Sequence, residues 1–240
     1  WSFAPELVGT EAFIKAMAQY DIVTSLAHTD AKYDDAKRRM EVDLHEIKES
    51  TFEPDPDKCY KPVIYLYPEE PTDVSVKLDY EGTLTCTYPK YESGWNVTAH
   101  PDGSITDENG ITYNYLYWEG ENGMECDFSE GFCVKDEDTA AFLEDALEKL
   151  GLTRTEANEF IVYWLPLMQE NPYNVISFQT EAYTEGAVLE IDPNPDSLLR
   201  VFMAYYPSDV AVEMEAQSFT PFERVGFAVV EWGGCELAMP

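Results

Sequence analysis

Apolar residues recur along this chain with two periods, and the switches between them divide it. Near the start the spacing is helical. Thr10 is followed by Phe13, Ala16, Met17 and Tyr20. Thr29 or Asp30 precedes a second helix in which Tyr33, Ala36, Met40, Leu44 and Ile47 form one stripe, with charged residues on the other faces. That stripe must lie on the rest of the chain or on a partner. From Val63 the period falls to two. Val63–Tyr67 is β-branched and aromatic; Val74, Val76 and Leu78 alternate with Ser75, Lys77 and Asp79; Leu84–Tyr88 follows; Trp95, Val97 and Ala99 alternate with Asn96, Thr98 and His100. Ser104–Thr106 is short, Asn109-Gly110 is a hairpin signal, and Ile111–Trp118 reads as one strand with Tyr113, Tyr115 and Tyr117 on one face.

The helical period then returns. Phe142, Leu143, Ala146, Leu147 and Leu150 share a face, with Asp136 or Asp138 as cap and Gly151 as stop. Thr153 and Glu156 have capping-box spacing. Phe160–Leu165 is apolar on nearly every face, which predicts a buried helix that Pro166 kinks or ends. Strand patterns resume at Asn174–Thr180, Ala187–Ile191, Leu198–Tyr206 and Phe227–Trp232. The order predicts an α+β fold: a mostly antiparallel β-sheet with two helices inserted between strand groups, plus an N-terminal helical extension.

Glu53-Pro54-Asp55-Pro56-Asp57 cannot continue a helix and reads as a linker. The expected domains are therefore residues 1–57, a helical extension and linker, and residues 58–240, the α+β main domain. Charge changes at the same place. The 240 residues carry 47 acidic and 15 basic side chains, net −32, and 34 of the acids against 8 of the bases lie beyond Lys58. Such a field repels phosphate backbones and anionic lipid, so nucleic acid is excluded as an expected partner. No apolar run is long enough to span a bilayer as a helix. The chain begins at Trp1 rather than Met, which leads us to expect that an upstream signal or anchor has been removed. With the acidity, this points to an extracellular or cell-surface-anchored protein. The five cysteines are Cys59, Cys86, Cys126, Cys133 and Cys235; an odd number leaves at least one thiol in a monomer. The spacing of Cys126 and Cys133 permits a loop-closing disulfide, while burial as small apolar residues is the ordinary fate of a cysteine.

Four segments, Lys61-Pro62-Val63-Ile64-Tyr65-Leu66-Tyr67-Pro68, Tyr115–Gly120, Phe160–Pro166 and Val230–Gly234, resemble a family of uncharacterised secreted or surface proteins of gut-type Gram-positive bacteria. The resemblance covers the chain from Cys59 onward. It implies an extracytoplasmic location; the family has no established activity, so it implies no catalytic residue.

Motif chemistry is sparse. His45-Glu46-Ile47-Lys48-Glu49 has Glu where a zinc-protease helix needs its second His. Asp192-Pro193-Asn194-Pro195-Asp196 alternates oxygen ligands but lacks the glycine and the bidentate Glu of a calcium loop. A divalent cation at some other carboxylate cluster remains an expectation, with the metal residues unknown. No Gly-x-Ser-x-Gly or phosphate-cradling loop is present, and no organic cofactor is expected. A Cys-His pair through His100 requires the fold to assemble it.

The best candidates for ligand binding are two Trp-Glu pairs at strand ends: Trp118 with Glu119, and Glu231 with Trp232. A Trp beside a carboxylate can floor a sugar site, and two converging carboxylates could act as a glycosidase pair. Core packing of both Trp rings, with Glu beside them, is the plainer alternative. Arg200, inside an apolar strand, must be paired; it is either structural or a clamp for a ligand carboxylate. The Tyr113, Tyr115 and Tyr117 face is core if covered and a binding platform if open. These features lead us to expect a binding or surface-interaction domain whose partner is a glycan or protein. The alternatives are a glycan-acting hydrolase with paired carboxylates, and a sensory appendage working through the N-terminal helix.

Overall fold

The computed structural model describes residues 58–121 and 123–238, together with the backbone at Ser2–Phe3 and Ser25–Leu26. The chain forms two compact units, Trp1–Glu53 and Pro54–Pro240. In the first, β1 (Ser2–Phe3) pairs in parallel with β2 (Ser25–Leu26). The helices expected over residues 10–20 and 33–47, the His45 motif and the proline linker lie outside the described residues.

The second unit is rich in antiparallel sheet. Its elements are β3 (Lys58–Tyr67), β4 (Thr72–Tyr80), β5 (Thr83–Tyr88), β6 (Trp95–Ala99), β7 (Ile105–Asp107), β8 (Thr112–Tyr113), β9 (Leu116–Glu121) and β10 (Phe132–Lys135). Then come helices α1 (Asp136–Leu150) and α2 (Arg154–Met168), β11 (Tyr173–Phe178), α3 (Thr180–Gly186), β12 (Ala187–Asp192), β13 (Ser197–Ser208) and β14 (Ala228–Glu236). The strands form two sheets. One has seven strands in the order β10-β11-β13-β14-β3-β9-β5, the other five in the order β12-β4-β6-β7-β8. Within these two sheets every pairing is antiparallel except β13 with β14.

Strand alternation sorts side chains between two cores. Along β3, Ile64 and Leu66 enter the layer between the sheets, where they meet Val74, Val76, Trp95 and Val97. Val63 and Tyr65 point the other way, toward Leu143, Leu147, Phe160 and Trp164 of α1 and α2. The central strands of the seven-stranded sheet are thus buried on both faces, and they are almost continuously apolar for that reason. Gly234 on β14 has a packing role: a Cβ there would collide with the Met203 carbonyl oxygen and the Trp164 ring.

Local signals explain the helix ends, with some corrections. Thr153 accepts from Glu156 N–H and Glu156 from Thr153 N–H, a complete capping box. Gly151 ends α1 in the left-handed region at φ 101°. The residue capping α1, however, is Lys135, without a side-chain bond; Asp136 and Asp138 lie in the first turn, where they complement the helix dipole. Pro166 sits inside the last turn of α2 rather than ending it. The all-round apolar reading of α2 is also corrected. Phe160 and Trp164 are buried, but Val162 is 66% exposed because only one side of α2 meets the sheet.

Three further corrections concern topology. Among the described residues of the second unit there are two sheets rather than one. Ile111–Trp118 is two strands, because the chain leaves one sheet after Tyr113 and enters the other at Leu116. A third, short helix, α3, stands where a strand was expected to run to Thr180. Gln179 N–H bonds the Phe202 carbonyl, and the Gln179 side chain bonds the loop at Asp127, so the strand turns there.

Candidate functional site

The two Trp-Glu pairs are split across the seven-stranded sheet. Trp118 and Glu231 face the layer between the sheets and are fully buried. Trp118 Nε1 donates to Glu231 Oε1 at 3.0 Å, and Arg200 Nε donates to Glu231 Oε2 at 2.6 Å. Arg200 Nη1 also donates to the Ala187 carbonyl at 2.5 Å, and its guanidinium lies 4.7 Å from the centre of the Tyr183 ring. Burial pushes the Arg200 guanidinium down, but the Glu231 charge and Tyr183 outweigh it and hold it above its ordinary value. Trp232 lies on the opposite face, fully buried, 5.3 Å from the Phe160 ring and donating to Tyr65 Oη at 3.2 Å. Glu119 lies on that same opposite face, half-buried, beside Tyr117.

The structure therefore brings together Trp118, Glu231 and Arg200, and separates them from Trp232 and Glu119. Residues adjacent in a strand must face opposite sides of it, so Trp118 and Glu119, or Glu231 and Trp232, cannot floor the same cleft. Glu119 and Glu231 do not converge as a hydrolase pair, and Arg200 is occupied by Glu231 rather than open to a ligand.

The other motif readings resolve similarly. Cys126 and Cys133 are not joined: Cys126 Sγ lies 3.8 Å from Cys235 Sγ, while Cys133 Sγ accepts from Val212 N–H at 3.2 Å. His100 Nε2 contacts Thr106 Oγ1, not a thiol. Asp192–Asp196 is the β12–β13 turn, in which Asp196 Oδ2 accepts from Phe227 N–H at 2.7 Å. Among the described residues no three His, Cys, Asp or Glu side chains gather in a group that could hold a metal ion.

An open aromatic surface does exist, on the helix side of the large sheet. Lys61, Tyr88, Tyr115, Tyr117 and Tyr163 line a shallow recess of about 380 Å³. They come from β3, the end of β5, the approach to β9, β9 itself and α2. The Lys61 ammonium lies 5.6, 5.8 and 5.5 Å from the ring centres of Tyr115, Tyr117 and Tyr163, within cation–π range. Tyr88 forms the outer edge at 62% exposure and meets Tyr113 edge-on at 5.3 Å. Tyr65 and Tyr67 stack at 6.1 Å, and Tyr65 meets Tyr115 at 5.4 Å, which extends the tyrosine surface inward. Burial, and then the carboxylate of Glu119, push the Tyr117 hydroxyl far above its ordinary value, so it remains protonated.

The backbone that presents Lys61 is unusual. Lys61 has φ 55°, the one positive φ outside glycine among the described residues. For a residue with a Cβ this costs about 1–2 kcal/mol. The pairing of β3 with β9 shifts register between Cys59 and Val63, and that of β14 with β3 shifts between Trp232 and Gly234. A Cβ on Gly233 would come within 3.1 Å of Pro62 Cα. The Lys61-Pro62 and Gly233-Gly234 segments are thus two sides of one irregularity, which turns Lys61 out of the ladder and over the tyrosines. Several other cations of this unit sit against carboxylates: Arg200 on Glu231, Arg224 on Glu156, Arg154 on Glu144, Lys149 on Asp145 and Lys90 on Glu92. Among the described residues Lys61 makes no such pair. The sequence carried a partial signal, the alternating tyrosines before Trp118, but Lys61, Tyr88 and Tyr163 meet only through three-dimensional packing.

Comparison with known proteins adds one relative. Over 64 residues, 25% of this chain, it is 56% identical to an uncharacterised protein in the bglA 3' region of Butyrivibrio fibrisolvens. The match spans 66% of that relative's length. No family model matches the chain, and no solved structure matches it.

Proposed function

We propose that the Pro54–Pro240 unit is an extracytoplasmic binding or surface-interaction domain whose ligand is a glycan, held on the tyrosine recess around Lys61. One observation carries this reading. In a unit that buries Trp118, Trp164 and Trp232 completely, five residues from four separate strands and helices leave aromatic faces and one ammonium open at the same place. A pyranose presents a face of C–H groups that complements the negative face of a phenol ring. Its hydroxyls pair with phenolic O–H groups and with the three N–H donors of Lys61. A shallow recess suits a chain laid across the surface rather than a substrate enclosed for reaction.

Titration calorimetry with soluble xylan, mixed-linkage glucan and pectin tests the proposal on the full chain. At least one of these is expected to bind. Tyr88→Ala and Lys61→Gln should each weaken that binding by about tenfold, the equivalent of ~1.4 kcal/mol; for Tyr88→Ala the thermal midpoint should stay nearly unchanged, because that ring sits at the exposed rim. Absence of binding to all three polymers, or equal binding by both variants, overturns it.

A further inference from the structure

Cys126 and Cys235 are 109 residues apart in sequence, yet their sulfurs lie 3.8 Å apart, a contact distance rather than a bond. Cys235 is on β14, in register with Ala204 of β13, and is 2% exposed. Cys126 is half-buried in the segment that joins β9 to β10, and its side chain packs on the same core between the sheets. The residues that follow the thiol are held in place. Asp127 N–H donates to Gln179 Oε1 at 2.9 Å, and the Asp127 carbonyl accepts from Gln179 Nε2 at 2.6 Å and from Ser177 Oγ at 3.1 Å. Ser177 Oγ also donates to the Glu130 carbonyl at 3.0 Å, and the Phe128 ring meets Tyr206 at 5.0 Å. The two cysteines are therefore brought together by contacts that do not involve sulfur.

We propose that Cys126 and Cys235 are a disulfide-forming pair, oxidised by a small-molecule or protein disulfide, and that the bond staples the β9–β10 segment to β14. The order of events follows from exposure. Cys126, the accessible partner, attacks one sulfur of the donor disulfide as a thiolate; the donor's S–S bond breaks and its other sulfur leaves as a thiolate. Cys235 then loses its proton and attacks the Cys126 sulfur of the mixed disulfide, expelling the second donor thiolate. Two protein thiols are oxidised to one disulfide, the donor is reduced to two thiols, and the two protons released end on them. The Cys235 contact holds the Cys126 thiol below its ordinary value despite burial, which favours the first step. Cys133 lies on β10 with its sulfur against Val212 N–H rather than against either of these two sulfurs.

The pair is tested in the full chain carrying Cys86→Ser, which removes the exposed thiol of the β5 edge strand and with it the obvious route to exchange between molecules. Protein equilibrated with oxidised glutathione is alkylated, digested without reductant and mapped by mass. The expected product is the Cys126–Cys235 linked peptide, with Cys133 alkylated. Oxidation should raise the melting midpoint by about 5–10 °C, a shift that reductant reverses. Cys126→Ser should abolish the shift and Cys133→Ser should leave it intact. A linked Cys126–Cys133 peptide, or alkylation of both Cys126 and Cys235 after oxidation, overturns the proposal. Peptide mapping of the Cys86→Ser chain decides this even if Cys126→Ser does not fold.

Discussion

Replacing Glu231 by Gln removes a charge from a buried polar contact of the second unit and leaves its shape almost unchanged. Glu231 is fully buried and Arg200 nearly so, with side-chain exposures of 0% and 6%. Their 2.6 Å contact places two opposite charges where water cannot screen them. At an effective dielectric of about 20 a pair 4 Å apart interacts by roughly 4 kcal/mol. Removing one partner from such a pair costs about 3–5 kcal/mol, because the other charge stays buried without compensation. In Glu231→Gln the amide oxygen accepts from Trp118 Nε1 and the amide NH2 faces the Arg200 guanidinium, so the loss combines the charge with the Arg200 hydrogen bond. For a chain of this size it corresponds to a fall in Tm of roughly 6–20 °C. Arg200→Met should cost a comparable amount. The double variant carries no buried charge and keeps the Trp118 hydrogen bond, so it should lie only ~1–2 kcal/mol below the parent, since replacing a whole buried pair is often nearly neutral. Urea unfolding of the four proteins completes the cycle. The reasoning is refuted if Glu231→Gln costs less than about 1 kcal/mol, or if the double variant loses the sum of the two singles.

Two further outcomes follow from other residues. Burial raises the Glu156 carboxyl, but Arg224, Thr153 N–H and Tyr67 outweigh it and hold it below the ordinary 4.5; its contribution to stability is therefore full above that value and lost as pH falls through the lower folded value, so urea unfolding from pH 6 downward should show a loss that Glu156→Gln removes. At Lys61 the positive φ favours glycine, so Lys61→Gly should be more stable than Lys61→Ala by about 1 kcal/mol in thermal melts; equal stability would mean that the backbone there is not left-handed in solution.

Sequence period by itself determined the elements that are amphipathic or cleanly alternating. Val74, Val76 and Leu78 in β4, and Trp95, Val97 and Ala99 in β6, are buried as alternation requires, and Gly151 and the Thr153–Glu156 box sit where a helix must end and the next begin. These signals are local: each depends on one face or one orphan backbone group. Which sheet a strand joins is not local. The tyrosine run before Trp118 has one period, yet the chain crosses between sheets inside it, because hydrogen-bond partners far away in sequence decide where Tyr113 and Leu116 belong. The candidate site shows the same division. Alternation alone places Trp118 and Glu119 on opposite faces. Only the packing decided that Trp118 would meet Glu231 and Arg200 in the closed layer between the sheets. Only the facing irregularities of β3 and β14 decided that Lys61 would turn out over tyrosines from α2 and β9, since no single segment contains the partners that hold it there.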